Sequence, residues 1–180
     1  MEKRLITIDF DDVIVDTQKY QCDLTEKMFN VKLDISNSKR VQHVPKYLTN
    51  EQYIQIIDAL YSSTEIPLVK GFKKYLEQIQ ELGYNPKIVT SRGHKESEIA
   101  SQICEKHKIN IPLLNSNYKS KIKYCKESIV HIDDSIWDLK QLNGVVENLL
   151  LFDKPHNKNV KLDSNIIRMN SWENIYDFLK

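Results

Sequence analysis

The chain has 180 residues, 41% of them apolar, with 26 Lys and Arg against 25 Asp and Glu and a formal net charge of +1. That size supports one packed domain with room for a small insertion. The balanced charge gives no general attraction to nucleic acid or acidic membranes, and no apolar run reaches membrane-spanning length, so neither partner is expected. Cys22, Cys104 and Cys125 are odd in number and widely spaced, forming neither a disulfide framework nor a zinc pattern. Met1-Glu2-Lys3-Arg4 leads straight into a strand with no signal peptide, and a cytoplasmic location is expected.

In chain order, Leu5-Ile6-Thr7-Ile8 predicts a buried parallel strand that stops abruptly at Asp9-Phe10-Asp11-Asp12-Val13. In open α/β sheets, ligands bind just past the carboxyl ends of the strands. Asp9 and Asp11, two apart, point the same way in extended geometry. Carboxylates that close repel unless a proton or a cation intervenes. A hard divalent ion with oxygen ligands resolves the conflict, and Mg²⁺ suits it. Asp12 reads as a solvated turn residue.

Thr17 to Phe29 has helical spacing, with Tyr20, Leu24, Met28 and Phe29 as its apolar face. Residues 34–40 are loop-like. Thr49-Asn50-Glu51 starts a second helix with Tyr53, Ile56, Ile57 and Leu60 inward, and Glu65-Ile66-Pro67-Leu68 breaks it. About fifty mostly helical residues are too many for an ordinary strand-to-helix loop. They predict a small insertion over 17–68, with 1–16 and 69–180 forming the core.

A helix follows over Gly71 to Leu82, stopped by Gly83, then a strand over Tyr84 to Ser91 and a helix over Lys95 to His107. Ile109 to Leu114 reads as a short strand and Lys119 to Glu127 as a short basic helix or turn. Ile129 to Ile132 is a strand running into Asp133-Asp134, repeating the apolar-then-acidic grammar of the first. Ile136 to Leu142 is helical, Asn148 to Phe152 and Asn165 to Met169 are extended, and Ser171 caps a last helix with Trp172, Ile175 and Phe178 inward. Strands alternate with helices, which predicts an α/β fold: a Rossmann-like parallel sheet with helices on both faces. The strand Lys87-Ile88-Val89 ends in Thr90-Ser91-Arg92, whose hydroxyls and guanidinium can bind phosphate oxygens. Acids for a metal beside hydroxyls and cations for a phosphate describe a phosphoryl-transfer site.

The four segments together resemble the motifs of the haloacid dehalogenase (HAD) superfamily: DxDx[VT] at Asp9-Phe10-Asp11-Asp12-Val13, a strand ending at Thr90, a lysine, and a strand ending in Asp133-Asp134. The resemblance implies a HAD core with a small helical C1-type cap. It implies Asp9 as nucleophile and Asp11 as general acid and base. Asp9, the backbone carbonyl of Asp11 and Asp133 would hold Mg²⁺, with Asp134 completing the metal shell and Asp138 a further candidate. Thr90 would bind the phosphoryl group, with Ser91, Arg92 and Phe10 on the substrate side and His94 a possible contact. Lys121 aligns best with the motif lysine, and Lys119 and Lys123 are alternatives.

Within the superfamily the chain resembles the 5′(3′)-deoxyribonucleotidase group. The carriers are the first motif, the short cap, Val89-Thr90-Ser91-Arg92, Leu151-Phe152-Asp153-Lys154-Pro155-His156-Asn157, and Arg168 to Trp172. The group implies a Mg²⁺-dependent hydrolase of a small phosphomonoester, a nucleotide. Where mammalian members carry a base-packing aromatic after the first motif, this chain has Asp16-Thr17. Tyr20, Phe29, Tyr47 and Tyr53 are candidates to replace it. The competing readings are a HAD phosphatase for a sugar phosphate or other metabolite, and a non-enzymatic Mg²⁺-binding regulatory domain.

Overall fold

A computed structural model describes residues 4–35 and 47–180. The elements run β1 (Arg4–Ile8), α1 (Thr17–Phe29), α2 (Asn50–Tyr61), α3 (Phe72–Glu81), β2 (Tyr84–Thr90), α4 (His94–Lys106), β3 (Leu113–Asn115), α5 (Ile122–Cys125), β4 (Val130–Asp133), α6 (Ile136–Gln141), β5 (Asn148–Phe152), β6 (Ile166–Met169) and α7 (Trp172–Leu179). Most of the loop expected over 34–40 lies outside the described residues.

Six strands form one sheet in the order β3-β2-β1-β4-β5-β6, and every pairing is parallel. The chain steps outward in one direction from β1 to β3, then returns to place β4 on the other side of β1. That reversal is the switch point at which open α/β sheets form their ligand crevice. The two strands flanking it are the two that end in acids, paired in register from Ile6 opposite Val130 to Ile8 opposite Ile132.

Both sheet faces are covered, as period-two alternation shows. Ile6, Ile8, Val130, Ile132, Leu150 and Phe152 face one core with residues of α3, α4 and α7. Val89, Leu149 and Leu151 face a second core with Cys125 of α5, Leu139 of α6 and Leu142 just past its end. On that second face β1 and β4 present polar groups instead, Thr7, His131 and Asp133, all fully buried. Among the described residues no helix is long and apolar enough to cross a membrane.

The helical stretch between β1 and α3 packs α1 on α2. Thr49 begins α2 with a reciprocal capping box to Gln52, and Asn30 closes α1 in the left-handed conformation, φ 54°. Leu48 and Ile56 make a small apolar cluster there with Phe29, Val31, Leu33 and Tyr53.

Two helices present other faces than their apolar periodicity suggests. The buried stripe of α1 is Thr17, Gln18, Gln21 and Thr25, while Met28 is 40% exposed. The cause is that α1 borders a polar cavity, so its inward side carries amides and hydroxyls. In α7 the inward residues are Trp172, Ile175 and Leu179, spaced i, i+3 and i+7, whereas Phe178 is exposed.

Trp172 is the largest fully buried side chain. Its ring meets Phe72 edge-on at 5.0 Å and Phe152 at 6.0 Å. Its indole N–H donates to the Val13 carbonyl at 2.9 Å, tying the last helix to the acidic loop after β1. Trp172→Ala is expected to lower stability by about 3–5 kcal/mol in urea unfolding, from lost burial and the cavity left behind. A loss below about 1 kcal/mol would show that the site collapses around the smaller residue.

Candidate active site

The loop after β1 turns back on itself. Asp12 adopts φ 60°, and the amides of Ile14 and Val15 donate to the Phe10 carbonyl. Asp12 is fully buried rather than solvated, because its Oδ1 accepts the Gln18 amide at 2.8 Å. It thereby satisfies one of the orphan N–H groups at the start of α1.

Asp9 and Asp133 meet across the β1/β4 junction, joined by Lys121. The Lys121 ammonium donates to Asp9 Oδ1 at 2.6 Å and Asp133 Oδ2 at 2.7 Å, with Asp138 Oδ2 at 3.8 Å. Lys121 is 3% exposed, whereas Lys119 and Lys123 point to solvent. Burial favours the neutral amine, but Asp133 and Asp9 outweigh it and raise the Lys121 pKa well above normal. Asp133 is likewise opposed by burial, yet Lys121 and His131 hold it below the usual carboxylate range. Asp9 goes the other way. Burial raises it, Lys121 only partly offsets that, and Asp133, Asp134 and Asp11 add repulsion. Lys121 therefore does not offset all the repulsion that Asp9 meets.

Oxygens of Asp9, Asp133 and Asp134 lie within 4.8 Å of one another, and all three residues are buried. An all-carboxylate set with unmet negative charge fits a hard divalent cation such as Mg²⁺. A second grouping, Asp12, Asp134 and His156, shares Asp134 with it.

Asp11 sits across the cavity under Arg92. The guanidinium grips it bidentately, Nε to Oδ2 at 2.9 Å and Nη2 to Oδ1 at 2.8 Å, and the Thr17 hydroxyl donates to Oδ1 at 2.5 Å. Arg92 is held between the rings of Phe10 at 4.8 Å and Tyr61 at 5.1 Å. Phe10, read from the sequence as a substrate contact, is fully buried beneath Arg92, so its ring supports the guanidinium instead of lining the cavity. Thr90 is 1% exposed and its hydroxyl accepts the Arg92 amide at 3.2 Å, while Ser91 reaches the cavity.

The cavity, about 360 Å³, is bounded by Asp9, Asp11, Lys121, Asp133, Asp134 and Asp138 at its floor. Its outer wall comes from Gln18 and Gln21 of α1, Tyr53, Ile57, Leu60 and Tyr61 of α2, and Glu96 and Tyr118. Of the four aromatics considered for a base-packing role, Tyr53 lines it. Tyr20 bonds Ser63 through its hydroxyl, Phe29 joins the small α1–α2 cluster, and Tyr47 is 39% exposed. His94 borders a different surface depression, beside Lys119 and Lys123.

Sequence reasoning passed over His131. It is fully buried on β4, two residues before Asp133 and on the same face. Its Nε2 meets Asp133 Oδ2 at 3.1 Å and its Nδ1 meets the Thr7 hydroxyl at 2.9 Å. Burial opposes the charged ring, but the Asp133 contact prevails and its pKa rises to about 9. The late segment around Asp153 braces the other acid. His156 Nε2 reaches Asp134 Oδ2 at 2.9 Å, Asn157 Nδ2 donates to the Asp134 and Phe152 carbonyls at 2.9 and 2.8 Å, and Arg168 bonds the Asn157 and Val160 carbonyls.

The family profile described as 5′ nucleotidase, deoxy (pyrimidine), cytosolic type C protein matches residues 3–180. The chain belongs to this family. Among curated proteins no sequence matches it. Solved structures share its fold at low identity. SP0104 from Streptococcus pneumoniae, a haloacid dehalogenase-like family hydrolase, is 15% identical with a TM-score of 0.65, covering 100% of both chains. A Lactobacillus plantarum protein described as a phosphoglycolate phosphatase is 14% identical with a TM-score of 0.66, covering 98% of this chain and 99% of that one. YfnB from Bacillus subtilis, described as a HAD-hydrolase and solved with magnesium bound, is 15% identical with a TM-score of 0.62, covering 99% of each chain. The fold is thus that of the HAD hydrolases, and this family member is a HAD-type phosphatase.

Lys121→Met should destabilise the folded protein by roughly 3–5 kcal/mol in urea unfolding with chelator present, since it strips the ammonium that bridges Asp9 and Asp133 and leaves Asp133 with His131 alone. Lys119→Ala and Lys123→Ala, on the surface, should stay within about 0.5 kcal/mol of the parent. Equal effects at all three positions would contradict the buried ion-pair account.

Proposed function

We propose that this nucleotidase-family enzyme hydrolyses a nucleoside monophosphate through an aspartyl-phosphate on Asp9, with Mg²⁺ as cofactor. The observation that carries this reading is Asp9 and Asp133 drawn together by Lys121 at the sheet's switch point. Asp9, Asp133, the Asp11 backbone carbonyl and Asp134 would hold Mg²⁺, which when bound supplies charge neutralisation between an anionic nucleophile and an anionic substrate.

In the first step the Asp9 carboxylate attacks phosphorus and the bond to the leaving oxygen breaks. Asp11 gives that oxygen a proton, releasing an alcohol. In the second step a water attacks phosphorus, its proton returns to Asp11, and the P–O bond to Asp9 breaks, yielding inorganic phosphate. Asp11 enters this cycle only by letting go of Arg92, because both of its oxygens are engaged in the bidentate pair. The substrate phosphoryl group competes for the same guanidinium fork. Arg92 thereby acts as a substrate contact that releases Asp11 on loading. Lys121 steadies the phosphoryl oxygens, and Thr90 and Ser91 border them.

The insertion 17–68 acts as a small cap, with an apolar cluster around Leu48 and Ile56 among its described residues. In its described part, α1 and α2 wall the cavity, limit water at the phosphoenzyme stage and leave room for a nucleoside-sized leaving group. The polar, charge-lined cavity and the family's cytosolic description support a small soluble substrate in the cytosol.

Asp9→Asn should abolish turnover of nucleoside monophosphates while leaving the fold intact by circular dichroism. Asp11→Asn should lose about 10²–10⁴-fold in kcat, the usual worth of a general acid and base. Chelation should silence the parent enzyme, and added Mg²⁺ should restore it. Appreciable hydrolysis by folded Asp9→Asn would rule out the covalent route.

A further inference from the structure

The surface depression that His94 borders has a chemistry of its own. It lies past the carboxyl end of β3, measures about 680 Å³, and takes Asn115, Ser116, Asn117, Lys119 and Lys123 into its lining. It shares no lining residue with the active cavity. Among the described residues that line it there is no Asp or Glu. Lys123 lies over the Tyr124 ring at 5.6 Å, and neither its ammonium nor that of Lys119 makes an ion pair among the described residues. Positive charge gathered in a hollow without an acid attracts anions.

Ser116 supplies an independent observation. It is 4% exposed, and its Oγ is buried with no hydrogen-bond partner. Its backbone is fixed at both ends: the amide donates to the Thr90 carbonyl at 2.8 Å, and the carbonyl accepts the Lys119 amide at 3.1 Å. Its polar neighbours are already engaged, since Asn115 Oδ1 accepts the Asn117 amide at 2.6 Å and Ser120 Oγ accepts the Ile122 amide at 3.4 Å. A buried hydroxyl without a partner costs stability, and a ligand oxygen would remove that cost. A hydroxyl beside two ammonium groups is a donor set suited to phosphate oxygens. We propose that this depression is a second anion site, in which Lys119, Lys123 and the Ser116 hydroxyl hold a phosphate dianion. The volume admits free phosphate or a phosphate carried on a small metabolite. Lys119 and Ser120 run directly into Lys121, so a bound anion would steady the loop that delivers Lys121 to the active cavity. The site does not depend on the reaction assigned to Asp9.

The test titrates the isotope-labelled protein with inorganic phosphate and, separately, with ribose 5-phosphate, following backbone amide shifts by NMR. Chelator is present, ionic strength is held constant, and phosphorus spectra check that the ester stays intact. Saturable shifts are expected at the amides of Ser116, Lys119, Ser120 and Lys123. Lys119→Ala combined with Lys123→Ala should weaken that binding roughly tenfold or more, and Ser116→Ala by about threefold to tenfold. Equal or weaker binding of the ester than of phosphate assigns free phosphate as the ligand, and tighter binding assigns a phosphorylated metabolite. No saturable shift, or shifts confined to the amides of residues 9–15, would overturn the proposal. So would an affinity unchanged in the double variant, or unchanged in Ser116→Ala, which marks a diffuse basic surface in place of a shaped site. Each of these outcomes leaves the phosphatase reading intact.

Discussion

Lys121 stands between two carboxylates that the chain supplies 124 residues apart, Asp9 and Asp133, at 2.6 and 2.7 Å. Lys121 offsets the cost of burying both acids, which would be prohibitive for unpaired carboxylates, and His131 adds a second partner at Asp133. The fold brings the three together by placing β4 directly beside β1, so that both acidic ends open into one crevice. Around them the packing is organised to keep two loops in place. Trp172 pins the first through the Val13 carbonyl, and Asn157 and His156 pin the second through Asp134.

Beneath the floor lies a polar column that an apolar core would not tolerate unless every group were satisfied. Ser128, Thr7 and His131 link in sequence to Asp133. Each member answers another's hydrogen-bonding need, and the column fixes the orientation of Asp133. Across the cavity, Arg92 and Asp11 make a second charged pair with a different character. Its acid, Asp11, is 22% exposed to the cavity, whereas Lys121 and its two acids are almost fully buried at the cavity floor. The site thus combines a rigid half, built on strands, with an exchangeable half under the α1–α2 segment.

Much of this was legible in the sequence because strands that end in acids break the apolar pattern sharply. Asp9, Asp11 and Asp133 could be picked from that signal, Arg92 from the hydroxyls and guanidinium that end the Lys87–Val89 strand, and the alternation of strands and helices gave the sheet class. The choice among Lys119, Lys121 and Lys123 could not be settled by spacing alone, because alternate basic residues look alike until burial separates them. His131 was hidden for the opposite reason: a lone histidine inside an apolar strand reads as core, and only its two-residue offset from Asp133 hints at more. Asp12 looked like a solvated turn, but a short acidic side chain at positive φ can equally cap the following helix from inside. Gln18 and Gln21 were missed because apolar periodicity assigns the inner face of a helix to its hydrophobic residues. That rule inverts when the helix borders a polar cavity, and Tyr20, Leu24 and Met28 then fall to the flank or the outside.

The central claim is that Asp9 becomes covalently phosphorylated at the junction of β1 and β4. Rapid acid quench of the enzyme during turnover of a nucleoside monophosphate, followed by peptide mass spectrometry, tests it directly. The account predicts a hydroxylamine-labile phosphoryl group on the peptide containing Asp9, formed and lost at rates compatible with turnover. Turnover with no phosphorylated peptide, or with the phosphoryl group on a different residue, would contradict it.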